Sequence, residues 1–134
     1  MFNAKVYKIA VLSFSGMIEE VYAAKEAVSS WNKVKADTAG KLFMLVDDSE
    51  VADVLLGIVG NRIEKQELVE ECLKAGKHVL LFFNAYADPK NTIASEQSAV
   101  SEYMQQVQSS CFCVKFNGTA ILTELLKQQL NTIE

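Results

Sequence analysis

Two stretches, Val54-Leu55-Leu56-Gly57-Ile58-Val59 and His78 to Phe83, are almost continuously apolar. Side chains of a strand point alternately to its two faces, so such runs are stable only where both faces are covered. Between them, Gln66 to Ala75 has helical spacing and is ended by Gly76, placed for a left-handed cap. A buried strand, a helix and a second buried strand form the repeating unit of a parallel sheet with helices on both sides. The rest of the chain extends the alternation. Val6 to Leu12 is a β-branched run closed by Ser13-Phe14-Ser15-Gly16, a turn and helix-start signal. Met17, Ile18, Val21, Ala24, Val28 and Trp31 then recur at three- and four-residue spacing, with Glu19 and Glu20 in the first turn, where the helix dipole favours them. Past Asn84 and a loop with Pro89, Ala94 to Gln108 reads as a helix and Cys111 to Phe116 as a strand. Thr119 to Leu130 reads as a final helix, with Thr119 as its N-cap.

The expected fold is therefore α/β, a three-layer α/β/α flavodoxin-like domain whose parallel five-stranded sheet has the order 2-1-3-4-5. In such sheets ligands bind beyond the carboxyl ends of the strands, at the switch point between the first and third. That rule selects Ser13 and Ser15, then Gly60-Asn61-Arg62, and Asn84 as candidate ligand-binding residues. One stretch has two readings. If Leu42 to Val46 is the second strand, only Asp47 to Asp53 remain to reach the third. A parallel crossover normally takes a dozen or more residues, and seven extended residues span roughly 23 Å. Alternatively, Val34 to Asp37 is a very short strand and Ala39 to Glu50 a crossover helix. The first reading is preferred, because Leu-Phe-Met-Leu-Val between Gly40 and Asp47 has the character of a buried strand.

Composition narrows the function classes. The 134 residues suit a single domain spanning 1–134. The formal net charge of −4 and the single arginine, Arg62, disfavour a nucleic-acid partner, which needs a basic stripe for phosphates. The longest apolar stretches fall far short of the ~18 residues of a membrane helix, so no membrane partner is expected. Three cysteines disfavour a secreted disulfide framework, and a cytoplasmic location is expected. In that setting Asn117-Gly118-Thr119 is better read as a turn than as a glycosylation sequon.

The single His78 excludes two-histidine metal sites and acid–base pairs. Cys111 and Cys113 face one side of their strand and, with Cys72 and His78, could formally ligate zinc. The spacing is not that of zinc ligand pairs, and free cysteines are commonly buried, so no metal is expected. No G-x-G-x-x-G or Walker-type loop is present, and no cofactor is expected. A flavodoxin-like FMN carrier is disfavoured as well, since the first loop lacks a run of Thr and Ser. Asp53 is expected to cap the start of the third strand, away from the site. Trp31 is expected in the core.

The stretch Ser13 to Asn32, SFSGMIEEVYAAKEAVSSWN, resembles the opening of a bacterial TIR-like domain family, in which S-P-S-D-V-x-E-E-R precedes a helix ending in W-N. Ser13, Ser15, Glu19, Glu20, Trp31 and Asn32 fall in register. Ala52 to Arg62 is similar to that family's D-x-L-x-G-I-F-x-x-R segment, and Gln66 to Phe83 to its E-E-I-E followed by A-G-K-P-V-x-L-Y-F. The family shares its fold with TIR domains and nucleoside 2-deoxyribosyltransferases, members of which cleave N-glycosidic bonds in NAD or nucleosides with a glutamate at the start of the helix after the third strand. Carried over, that residue is Glu67. A carboxylate there would stabilise an oxocarbenium-like ribosyl centre or attack it. Arg62 would hold a phosphate or ribose hydroxyl, and Ser13 and Ser15 an anionic group.

The departures are equally specific. The family's Gly/Ser/Thr-rich loop between Arg and Glu is reduced to Ile63-Glu64-Lys65, its first-helix Asp is Gly16, and its following Arg is Val21. Glu67 also reads as a solvated residue beside Glu64, Glu70 and Glu71, and Arg62 as a salt-bridge partner of Asp47 or Glu67. Two functions therefore stand side by side. One is a TIR-like domain that binds a nucleotide-like small molecule, with cleavage through Glu67. The other is a non-catalytic module that self-associates through its helices. A homo-oligomer is expected in either case.

Overall fold

A computed structural model of the chain describes residues 5–14, 17–60, 65–84 and 94–133, with the side chains of 94–98 left aside. Its elements run β1 (Lys5–Phe14), α1 (Ile18–Ala39), β2 (Lys41–Val46), β3 (Val54–Val59), α2 (Gln66–Lys74), β4 (His78–Asn84), α3 (Ala94–Val107), β5 (Phe112–Phe116) and α4 (Gly118–Leu130). The sheet is five-stranded with the order β2-β1-β3-β4-β5, and every neighbouring pair is parallel. This is the three-layer α/β/α arrangement that the alternating pattern implies.

Strand periodicity sorts the core into two layers. Tyr7, Ile9 and Val11 of β1, Phe43 of β2, Leu56 and Ile58 of β3, and Leu80 and Phe82 of β4 join Ala24, Val28 and Trp31 of α1 and Leu122, Leu126 and Leu130 of α4. The intervening positions, among them Ala10, Phe14, Leu55, Val59, Leu81 and Phe83, pack with Val69 and Cys72 of α2 and Tyr103 of α3. All six residues of β3 are buried, as a central parallel strand requires. Gly57 within it is a close-packing position, because a Cβ there would lie 2.8 Å from Leu81 Cδ2.

Leu42 to Val46 is strand, and Asp47 to Asp53 cross to β3 without a helix. The register explains how so short a connection suffices. β2 pairs with the first part of β1, from Lys5↔Lys41 to Ala10↔Val46, whereas β3 pairs with the last part, from Ile9↔Val54 to Phe14↔Val59. The end of β2 and the start of β3 thus lie at nearly the same height on β1. The chain has only to step across one strand, about 10 Å between strand axes, with almost no return along the sheet. The turn is held by Lys77, whose ammonium donates to the Ser49 and Glu50 carbonyls at 2.7 Å each. Asp53 caps the start of β3, accepting the Lys8 N–H on Oδ2 at 2.9 Å while its own N–H bonds the Lys8 carbonyl at 2.7 Å.

Several expectations shift in detail. α1 runs well past Trp31 to Ala39 and stops at Gly40, whose φ of 70° is the left-handed conformation glycine adopts without strain. Ile18, counted in the apolar stripe, is 80% exposed, because Ala27 and Ala36 join Ala24, Val28 and Trp31 on the buried face. The N-cap of α4 is Asn117 rather than Thr119, since the helix already begins at Gly118, which takes a φ of 82°. Trp31 is buried as expected, edge-on to Phe43, with its indole N–H donating to Asn131 Oδ1 at 2.9 Å.

Candidate functional site

β1 and β3 end side by side, Phe14 opposite Val59, and the Gly60 N–H extends the ladder to the Phe14 carbonyl at 3.1 Å. Sheet order reverses here, since β1 leads to β2 on one side and has β3 on the other. Ser13 is half-buried at this rim, and its Oγ accepts the Met17 N–H at 2.8 Å, tying the last turn of β1 to the start of α1. The hydroxyl keeps its own proton to donate.

Lys65 completes the rim, a residue that sequence reasoning treated only as the remnant of a shortened loop. Its backbone is left-handed, with φ of 59°, the one positive-φ residue other than glycine among those described. That conformation is uncommon for a non-glycine residue and often marks a functional or strained position. It starts α2, the Lys65 carbonyl accepting the N–H groups of Leu68 and Val69 at 3.1 and 3.3 Å. It also returns the ammonium across the rim to the Ser13 carbonyl, at 3.1 Å. Nothing in a single sequence marks a lysine for this backbone region, so the contact was not readable in advance.

Glu67 lies in the first turn of α2 and is exposed. Among the described residues, no hydrogen bond or ion pair joins it to Ser13, Gly60 or Asn84. Asn84 ends β4 opposite Phe116 of β5, one strand beyond the β1–β3 junction, and is half-buried. The geometry thus brings together Ser13, Gly60 and Lys65, with Glu67 two residues on in the first turn of α2. Ser15, Asn61 and Arg62 lie outside the described residues, as do Gly16 and the Ile63-Glu64 segment.

Part of the resemblance motif has a packing explanation. Asn32 grips the Phe43 backbone with both ends of its carboxamide, Nδ2 to the carbonyl at 2.8 Å and Oδ1 from the N–H at 2.9 Å. With Trp31 packed on the same phenylalanine ring, the Trp-Asn pair fastens α1 to the edge strand β2. Cys72, His78, Cys111 and Cys113 do not assemble a metal site. Among the described residues no three such ligands come together.

No family model matches the chain, and no curated protein matches it. Among solved structures the chain is similar to the translation elongation factor SelB from Methanococcus maripaludis, in complex with the GTP analogue GppNHp. The identity is 14% and the TM-score 0.55, over all of this chain and 36% of that one. It is also similar to homoserine dehydrogenase from S. aureus, at 13% identity and a TM-score of 0.50, over 84% of this chain and 33% of that one. The chain spans about a third of the length of each, and likeness at this identity is a likeness of fold. No helix among the described residues is long and apolar enough to cross a membrane.

Proposed function

We propose that the chain is a TIR-like domain that binds a nucleotide-like, phosphate-bearing small molecule at the carboxyl rim of β1 and β3, with Glu67 as the carboxylate for N-glycosidic cleavage. The observation that carries this reading is the Lys65–Ser13 contact. A left-handed lysine sets a cation at the switch point of the sheet, beside a serine hydroxyl and the first turn of a helix. Ser15, Asn61 and Arg62 belong to the proposed ligand set by the sequence resemblance alone. The ammonium would meet a phosphate, and Glu67, two residues further in the first turn of α2, a ribosyl carbon from which the base departs.

Calorimetric titration with NAD, ADP-ribose and nucleoside monophosphates tests the binding. Lys65→Ala is expected to weaken it roughly ten-fold, the loss of one charge-assisted contact of about 1.5 kcal/mol. Absence of binding by every phosphate-bearing compound at millimolar concentration would sink the reading. Hydrolysis of the same panel by wild type and Glu67→Ala tests the chemistry, and turnover unchanged in the variant would remove Glu67 from it.

One observation favours the second reading, a self-associating module. Val6 is 47% and Met44 44% exposed on neighbouring strands and on one face of the sheet, and Val51 in the helix-free crossover is 51% exposed. Exposed apolar surface of this kind marks interaction sites when it is contiguous. The self-association expected through helices has this sheet face as a second candidate surface, beside Ile18, Tyr22 and Val34 of α1. Light scattering across a concentration series should show a dimer that Met44→Lys abolishes. A monomer at every concentration would count against it.

A further inference from the structure

The layer of the core beneath α2 and α3 contains a polar cluster that the rim site does not use. Cys111 stands in the bend before β5 and Cys113 within it, both half-buried on the same side, their Sγ atoms 3.8 Å apart. Cys111 can direct its S–H at the Val107 carbonyl, 3.6 Å away, which leaves its sulfur free to accept the Cys113 S–H. Tyr103 of α3 packs in the same layer, 6% exposed, and its hydroxyl is buried without a hydrogen-bond partner among the described residues. A buried unpaired donor is costly, and its persistence calls for an acceptor that the resting site lacks.

We propose that Cys111 and Cys113 are a redox-active thiol pair, oxidised by a hydroperoxide to an intramolecular disulfide, with Tyr103 as the residue that positions the oxygenated intermediate. The Sγ atoms must close by about 1.8 Å to reach disulfide length. Cys111 lies outside the β5 ladder, which begins at Phe112 opposite Leu80, and its N–H is held by the Val107 carbonyl at 3.1 Å, so the closure is a rotation of side chains. Access is open too, since Cys111 lines a surface cavity of about 300 Å³ with Lys77, Ser110 and Phe112. The Cys113 S–H also lowers the Cys111 thiol below its ordinary range, whereas the same contact pushes Cys113 up. Cys111 is thus the nucleophile and Cys113 the resolving thiol. Burial, then the two nearby cysteines, raises Tyr103 to about 12, which keeps its hydroxyl a donor.

The reaction balances within these groups and one peroxide. The Cys111 thiolate attacks one peroxide oxygen, the O–O bond breaks, and the other oxygen leaves as an alcohol or water after taking up a proton. Cys111 is then a sulfenic acid whose oxygen accepts from Tyr103. Cys113 sulfur attacks Cys111 sulfur, the S–O bond breaks, and the hydroxyl leaves as water with the Cys113 proton. The two thiols lose two electrons and the peroxide gains two. A low-molecular-weight thiol restores the pair by exchange.

The reduced full chain is to be treated with hydrogen peroxide, alkylated after unfolding, digested and weighed. The expected product is a monomer with Cys111 and Cys113 joined and Cys72 alkylated, since Cys72 is buried and its thiol is pushed up by that burial. Alkylation of all three, or oxidation of Cys72 as fast as the pair, overturns the proposal. Cys113→Ser should stop at a Cys111 sulfenic acid trapped by dimedone, and Cys111→Ser should leave Cys113 roughly ten-fold less reactive. Equal reactivity in the two variants also overturns it. Tyr103→Phe should fold and shorten the life of the sulfenic acid in the Cys113→Ser background several-fold. An unchanged lifetime overturns the part given to Tyr103.

Discussion

The two faces of the sheet are built to different standards. On one, α1 and α4 pack with residues of all five strands and enclose Trp31, Phe43, Phe82 and Leu126, each no more than 2% exposed. On the other, α2 and α3 cover the β3–β4 side, but the helix that would cover β1 and β2 is replaced by the turn at Asp47 to Asp53. Along β1 the contrast falls on adjacent residues, with Tyr7 and Ile9 buried and Val6 and Lys8 exposed. The thick face carries the burial that stabilises the domain. The thin face leaves the sheet residues Val6 and Met44 exposed, and carries the paired thiols and the tyrosine without a hydrogen-bond partner among the described residues.

The largest effect should come from breaking the thick face. Trp31→Ala removes an edge-on contact with Phe43, the indole bond to Asn131 and a cation–π contact with Lys41 at once. A loss of about 3–5 kcal/mol is expected by urea unfolding, as for other buried aromatic deletions. A loss below about 1 kcal/mol would show that this face is not the main source of stability. Next in size is Gly57→Ala, which overfills the thin face where it is covered. The new methyl would meet Leu81 Cδ2 at 2.8 Å and the Phe14 ring at 3.4 Å. An apolar branch can yield but a central strand cannot, so about 1–3 kcal/mol is expected.

That contrast also explains how far the sequence could be read. Strand order, the buried β3 and β4, the Gly76 cap and the Asp53 cap follow from local pattern, because two-sided burial and left-handed caps leave marks on the residues themselves. The helix-free crossover was harder to anticipate, since its economy lies in the stagger of β2 and β3 along β1, a property of register rather than of residues 47–53. Asn32 shows a similar limit. In the sequence it is one polar residue of a helix, and only the sheet edge reveals its grip on Phe43. At the candidate site, Ser13 and Gly60 were identified by their place after strands, whereas Lys65 was not, because its left-handed backbone is set by the turn into α2.

Tyr103 offers a test of the thin face that the thick face cannot mimic. Burial raises its hydroxyl from an ordinary 10.0 to about 12. The folded protein therefore prefers the neutral phenol more strongly than the unfolded chain does. That preference contributes its full stabilisation below pH 10.0 and is lost as pH rises through about 12. Wild type should lose stability over that alkaline window, and Tyr103→Phe should lose less of it while being no less stable at neutral pH. Parallel curves for the two proteins would mean that the phenol ionises without regard to folding.

The smallest effect on stability is expected at Met44, and it separates covering from folding most sharply. The side chain is 44% exposed on an edge strand whose other face is anchored by Phe43. Lysine at an exposed strand position keeps its stem along the sheet and its charge in water, so Met44→Lys should change unfolding free energy by less than about 0.5 kcal/mol. The same substitution sets a charge where a second copy would have to dock, and so should abolish concentration-dependent association. If it unfolds the domain instead, Met44 belongs to the core and the thin face is better covered than its exposure suggests. If it leaves both stability and association intact, the open face is not where copies meet. The exposed apolar residues of α1, Ile18 at 80%, Val34 at 71% and Tyr22 at 64%, then become the next positions to charge.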